Sequence, residues 1–395
     1  MIANARSAFP KAFSQVSRWL NCRNRRRSMM LASIVAMASW SIASSGSAQQ
    51  LFMGDVADNS VKQFDLQTGV TSIFIEPKSA GLNGPTGMIF SQGQLYVVNQ
   101  NVNTGQRGEV LKFDGATGTF IGKLISSSDI NAPFAPRGIV LGTDSSFYVA
   151  SMLSKPGKCA NAGSVNVYNN SGVFQYSLAP DPRQFPHVFH PRGVVFAPDG
   201  TLYVTAIGCL DPTDPDYDPS SDPLAGYVLT FRRPASGGNL VFDKVLASNS
   251  GNSVPYLHRP EGLVVDNQGN LWVTSFRSDS TAPTDTDKLL KLNGQNGSLL
   301  AKIELDTKAN KPHPNPPRAP AQAIILGPGG DLFVPISGTD SNTAGELLRC
   351  NVSTLQCSVL IKPYGDLQPG HPDSTQMPWY LIFKTSNPAT LQYTN

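Results

Sequence analysis

Beyond about residue 50 the chain is written in short apolar runs cut by polar turns. Leu95-Tyr96-Val97-Val98, Phe147-Tyr148-Val149-Ala150, Leu202-Tyr203-Val204-Thr205, Leu271-Trp272-Val273-Thr274 and Leu332-Phe333-Val334-Pro335 are too short for helices and rich in β-branched and aromatic residues. Each follows another short run, such as Met88-Ile89-Phe90 or Val194-Val195-Phe196, across a turn built from Gly, Asp, Asn or Ser. Runs of this kind, with almost no helical period between them, predict strands.

The runs belong to a repeat. Gly84-Pro85-Thr86-Gly87, Ala135-Pro136-Arg137-Gly138, His190-Pro191-Arg192-Gly193, Arg259-Pro260-Glu261-Gly262, Ala319-Pro320-Ala321-Gln322-Ala323 and Met377-Pro378-Trp379 each open a unit. The first five continue with a second run, a variable loop, a third run such as Val110-Leu111-Lys112-Phe113, a turn, and a fourth such as Phe120-Ile121-Gly122-Lys123-Leu124. Four strands per repeat make a propeller blade, whereas an array of sandwiches needs about twice as many. Runs at 51–55, 61–64 and 70–75 read as a blade lacking its first strand. The run at 379–383 supplies that strand, and 390–393 offers a further partner. The expected fold is therefore all-β: a six-bladed β-propeller closed by pairing of N- and C-terminal strands in one composite blade, which leaves no open sheet edge at the seam. Residues 49–395 form one such domain.

Ala197-Pro198-Asp199-Gly200-Thr201-Leu202-Tyr203-Val204, together with the Pro-x-Gly openings, resembles the NHL-repeat family and its neighbours, the SMP-30/gluconolactonase-like and strictosidine-synthase-like six-bladed propellers. The resemblance covers nearly all of 51–395. It implies the fold, and a function among lactonases, lyases and pure binding modules. The Glu-Gly-Pro start of the metal-dependent lactonases is absent, and Glu261-Gly262 in the fourth repeat is the nearest fragment. Amidating-lyase propellers hold zinc on channel histidines, whereas no repeat proline here is followed by His.

Propeller geometry turns the repeat into a map. Connections between blades share one face with the loops between second and third strands, and both are long, as at 305–320 and 207–226. The opposite face carries tight turns such as 91–93 and 198–200. Long loops on a rigid scaffold point to the binding face. The residues after the repeat prolines should stand at its axial mouth: Thr86, Arg137, Arg192, Glu261, Gln322 (after a one-residue shift) and Trp379. Arg137 and Arg192 can clamp a carboxylate or phosphate. Glu261 can pair with Arg192, serve as a base or bind a metal, and His258 or His190 can join it in general acid–base work. The competing reading is an Arg–Glu network that only plugs the channel, with solvated loop histidines, His187 among them. Asp55, Asn99 and Ser275, at the ends of second strands, can line the channel, and nothing in the sequence assigns them a role. Asp214, Asp216 and Asp218 have the alternation that opens a calcium loop, without the glycine and terminal Glu of an EF-hand. A solvated acidic loop is the alternative there.

Charge and cysteine change the picture at the N-terminus. Residues 1–48 hold seven basic and no acidic residues, then an apolar run from Met29 ending in Ser-Gly-Ser-Ala48. This is the pattern of a secretory signal peptide, too short in its apolar part for a span of roughly 20 residues. Arg25-Arg26-Arg27 before it loosely resembles a twin-arginine signal. The whole chain carries 31 basic and 28 acidic residues, a net charge of +3. Without residues 1–48 there are 24 against 28, so the body is mildly acidic and offers no reason to expect nucleic acid as a partner. Four cysteines remain in the body, and the expected disulfides of a secreted or periplasmic protein are Cys159–Cys209 and Cys350–Cys357. The first functional reading is an exported propeller that binds a small polar ligand, glycan or protein on its loop-rich face. The second is a lactonase-like hydrolase or lyase acting in the axial pocket.

Overall fold

The computed structural model describes residues 49–155, 161–208, 225–249, 254–277, 285–305, 318–338, 345–363 and 375–394. The leader 1–48, the Cys159–Cys209 pair and the Asp214, Asp216 and Asp218 loop lie outside them. Within them stand six antiparallel four-stranded sheets. Blade 1 is composite: Pro378–Phe383 is its inner strand, followed outward by Gln50–Asp55, Ser60–Asp65 and Thr71–Ile75. Blade 2 runs outward from Pro85–Ser91, blade 3 from Phe134–Leu141, blade 4 from His190–Phe196, blade 5 from Leu263–Val265 and blade 6 from Ile325–Leu326. No helix among the described residues is long and apolar enough to cross a membrane.

Position within the blade decides how each strand is written. Each sheet is stacked between two others, so its second strand is buried on both faces. Leu95–Val98, Leu202–Ile207 and Leu271–Ser275 are accordingly apolar or neutral throughout. The outermost strands meet water, and Phe120–Ile125 and Val241–Ser248 mix exposed and buried positions. At three junctions between blades, the aromatic residue of a second strand meets a Phe at or next to the end of the neighbouring inner strand edge to face. Phe52–Phe90, Tyr148–Phe196 and Phe333–Phe383 lie at 4.8, 4.9 and 5.0 Å between ring centres. The Cys350–Cys357 disulfide joins the two outer strands of blade 6 across their hairpin.

Closure uses both termini, with one correction to the sequence reading. Leu51, Phe52, Met53 and Gly54 pair with Phe383, Ile382, Leu381 and Tyr380. Gln50–Asp55 thus fills the position for which 390–393 competed. The last residues instead turn back, through the Ser386–Tyr393 bridge, and pass beneath the channel on the tight-turn face. There Leu141 and Phe196 donate backbone N–H groups to Pro388 and Ala389 at 2.9 and 3.0 Å, and the Gln392 amide donates to the Val265 carbonyl at 3.0 Å. The tail is held by blades 3, 4 and 5, whose inner strands end with carbonyls and N–H groups that need partners.

A second correction concerns Asp55, Asn99 and Ser275. They stand one strand away from the axis and clasp the incoming connection of their own blade. Asp55 accepts from the N–H groups of Gln376 and Met377, Asn99 from Asn83, and Ser275 from His258, at 2.6–3.1 Å; Ser151 accepts in the same way from Phe134. Asp55 also accepts from buried Lys62 at 2.7 Å. Substituting Asp55→Ala takes away the carboxylate that accepts from the backbone N–H groups of Ala57, Gln376 and Met377 and that pairs with buried Lys62. Urea unfolding should show a loss of about 3 kcal/mol; an unchanged midpoint would contradict the clasp.

Candidate functional site

The axial mouth is built by a bulge repeated in successive inner strands. Pairing jumps from Pro85 to Gly87, from Pro136 to Ile139 and from Pro191 to Val194. A bulge re-aims the extra side chain, here toward the axis. The threonine of the Leu-x-Val-Thr run satisfies the displaced backbone. Thr205 Oγ1 accepts from the Gly193 N–H at 2.8 Å, and Thr274 Oγ1 accepts from Glu261 and Gly262 at 3.0 and 2.9 Å. The glycine of Pro-x-Gly is needed because the next blade is too close for a side chain. A Cβ on Gly193 would lie 2.8 Å from the Glu261 carbonyl oxygen, and one on Gly262 would lie 2.7 Å from the Ala323 Cα.

All six residues read after the repeat prolines, Thr86, Arg137, Arg192, Glu261, Gln322 and Trp379, line one cavity of about 20 Å³. That is room for about one water. Leu391 of the C-terminal tail lines the same cavity. Glu261 is 4 % exposed and so is Arg192, whose Nη1 lies 3.3 Å from Glu261 Oε2. Arg259 Nε lies 3.1 Å from Glu261 Oε1. Arg137 is half-buried, with its guanidinium 4.7 Å from the centre of the Trp379 ring. Thr86 Oγ1 donates to the Pro136 carbonyl at 2.9 Å.

The electrostatics follow from three guanidinium groups around one carboxylate. Burial alone would push the Glu261 carboxyl up, but Arg192, Arg259 and Arg137 outweigh it and hold it below its ordinary value. Burial pushes Arg192 down to about 9, against the attraction of Glu261 and with the repulsion of Arg137 and Arg259, so it stays charged at neutral pH. Burial lowers Arg137 as well. The cluster keeps an excess of positive charge. Its hydrogen bonding is incomplete: Arg137 Nε and Nη1, Arg192 Nε and Gln322 Oε1 are buried without a partner among the described residues.

Arg259 is the site residue that sequence reasoning missed. It precedes the repeat proline, a position held elsewhere by Gly84, Ala135, His190 and Ala319, so the repeat gave no reason to single it out. Its φ of 40° is left-handed, as is that of Ala135 at 45°. Residues before proline avoid helical conformations and bulky residues avoid positive φ, so both positions are strained. The strain lies beside Arg137 and Glu261.

The expected histidine partners of Glu261 are placed elsewhere. Neither His258 nor His190 lines the axial cavity. The His258 backbone is clasped by Ser275, its Nδ1 lies 3.2 Å from the Asn249 amide, and its Nε2 lies 3.9 Å from Asp285. The His190 ring turns to the Gly208 carbonyl at 3.2 Å. His187 stacks on Tyr227. Among the described residues no group of three or more His, Cys, Asp or Glu side chains could hold a metal ion. At the axis, three cationic groups around one carboxylate repel a metal cation and attract an anion.

No protein-family model matches the chain, and no curated protein matches it. Solved structures do resemble it in fold. The periplasmic gluconolactonase of Pseudomonas aeruginosa is 18 % identical, over 85 % of this chain and 99 % of that one, with a TM-score of 0.46. A protein described as a candidate 6-phosphogluconolactonase from Bacteroides uniformis is 15 % identical, over 85 % and 99 %, at 0.47. Hydrazine synthase of Kuenenia stuttgartiensis is 18 % identical, over 76 % and 73 %, at 0.47.

The Glu261 environment makes a pH prediction. Its folded pKa lies below the unfolded value of about 4.3. Its contribution to stability is therefore complete above the unfolded value and lost as pH falls through the folded one. Glu261→Gln should be less stable than wild type at pH 7, and the difference should shrink below about pH 4. Chemical denaturation across pH checks this; a difference that persists unchanged into acid would contradict it.

Proposed function

We propose that the chain is an exported propeller that receives a small, oxygen-rich anionic ligand at the axial mouth of its loop-rich face. The observation that carries the reading is the set of guanidinium N–H groups on Arg137 and Arg192 that lack an acceptor, beside a carboxylate already shared by Arg192 and Arg259. A buried donor left unmade costs about 1–3 kcal/mol. A carboxylate or phosphate oxygen arriving from the loop side answers that cost and the excess charge together. The cavity admits little more than that oxygen. The body of the ligand then rests above it, against Trp379 and the half-buried Arg137. Sugar acids, which carry one carboxylate on a chain of hydroxyls, are the class that fits.

Lactone hydrolysis, the activity in the name of the similarly folded Pseudomonas protein, is the second reading. The same unpaired donors favour it, because ring opening of a lactone develops an oxyanion and ends in a carboxylate. Against it, Glu261 is held ionised by two ion pairs and is a weak base, and no histidine lines the cavity. Export rests on the leader pattern of 1–48, and the calcium reading of Asp214, Asp216 and Asp218 stands apart from this site.

Calorimetric titration with gluconate, run beside a panel of sugar lactones followed by acid release, tests the proposal. Gluconate should bind, and Arg137→Gln should weaken it at least about tenfold. Turnover of a lactone that is lost in Arg137→Gln would move the assignment to the hydrolase. Absence of both binding and turnover, or binding indifferent to Arg137→Gln, would overturn the site.

A further inference from the structure

A roomier cavity lies on the other face. It has a volume of about 550 Å³ and sits on the tight-turn side, between blades 5 and 6. It lies at one of three junctions between blades where the inner strand ends in an aliphatic residue, Leu141, Val265 or Leu326. Phe90, Phe196 and Phe383 stand at or next to the ends of their inner strands and meet the aromatic residue of the preceding blade's second strand. In blade 6 the equivalent residue is Leu326, followed by Gly327, and it faces Trp272 of blade 5 across the cleft. The indole itself is fully buried beneath the cleft.

The lining has a specific chemistry. Trp272, 0 % exposed, and Leu326, 7 % exposed, underlie the cleft, and the half-buried Val352 and Tyr393 give it accessible apolar surface. The Trp272 indole N–H is buried without an acceptor among the described residues. Lys291 closes one side, 2.9 Å from Asp266 and 5.7 Å from the centre of the indole ring, so its charge is matched within the wall. Gln268 accepts from Lys291 at 3.4 Å and is otherwise exposed. The C-terminal tail closes the cleft with Gln392, anchored to Val265, and Tyr393, whose ring lies edge-on to Phe383 at 5.2 Å. Amide, phenol and backbone groups thus surround an apolar floor, and the charged pair is neutralised. This is the reverse of the axial mouth, where positive charge is in excess.

We infer that this cleft is a binding site for an uncharged saccharide. A sugar offers an apolar face of C–H bonds and a rim of hydroxyls that both donate and accept. The volume falls within the roughly 300–1,000 Å³ of small-molecule sites. A charged ligand would have to compete with the Lys291–Asp266 pair for its partner. The site does not use the axial arginines and stands independently of the function proposed for them.

The test is calorimetric or NMR titration with methyl glucoside, maltose and cellobiose as neutral probes, and gluconate and glucosamine as charged ones. At least one neutral sugar should bind. Ser353→Trp, at an exposed turn position on the cleft rim, should abolish that binding, and Gln268→Ala should weaken it. Asn170→Trp, at an exposed turn of blade 3 on the same face, is the control for folding and should bind as wild type does. The inference is overturned if no neutral sugar binds, if Ser353→Trp and Gln268→Ala both bind as wild type, or if the charged probes are those lost in Ser353→Trp.

Discussion

Around the axis, inner strands of successive blades come so close that four of the six carry glycine at the contact, with Ala323 and Tyr380 at that position in the other two. That contact dictates the glycine of Pro-x-Gly, where an added Cβ on Gly193 or Gly262 would press on the next blade's backbone. It also requires a bulge, since a regular ladder would leave no way to turn the preceding residue inward. Once the bulge is formed, its N–H groups need acceptors, and the threonines of the second strands supply them. Repeat motif, channel and polar ring are consequences of one steric condition.

The same condition concentrates charge. Side chains turned toward a narrow axis are forced into each other's company, and here that brings Arg137, Arg192 and Arg259 around Glu261. A network of this kind in a dry site is costly unless every group is paired. The unpaired N–H groups mark where pairing was left incomplete, and the strained Ala135 and Arg259 backbones flank the same point. A channel that served only to hold the blades together would gain more from apolar filling.

Much of this was legible in the sequence, for physical reasons. A steric requirement repeats wherever the geometry repeats, so Pro-x-Gly and Leu-Tyr-Val-Thr announce the blades and locate the six axial residues. What does not repeat was hidden. Arg259 occupies a position where other blades carry Gly, Ala, His or Met. Asp55, Asn99 and Ser275 look channel-facing because they end strands, yet their work is to clasp backbone N–H groups of the incoming connections. Residues 390–393 offered a further strand for the composite blade, and only register settles that Gln50–Asp55 pairs with Pro378–Phe383. The cleft between blades 5 and 6 is closed by a tail distant in sequence, which no local pattern displays.

Two faces therefore carry different chemistry on one scaffold: a cationic mouth above the axis and a neutral cleft beneath the rim. The central claim concerns the mouth, and a crystal structure of the protein soaked in gluconate tests it most directly. The account predicts a carboxylate whose oxygens lie within hydrogen-bonding distance of Arg137 and Arg192, with Glu261 still paired to Arg259. A mouth that stays empty at saturating ligand, with Arg137 still stacked on Trp379, would contradict it.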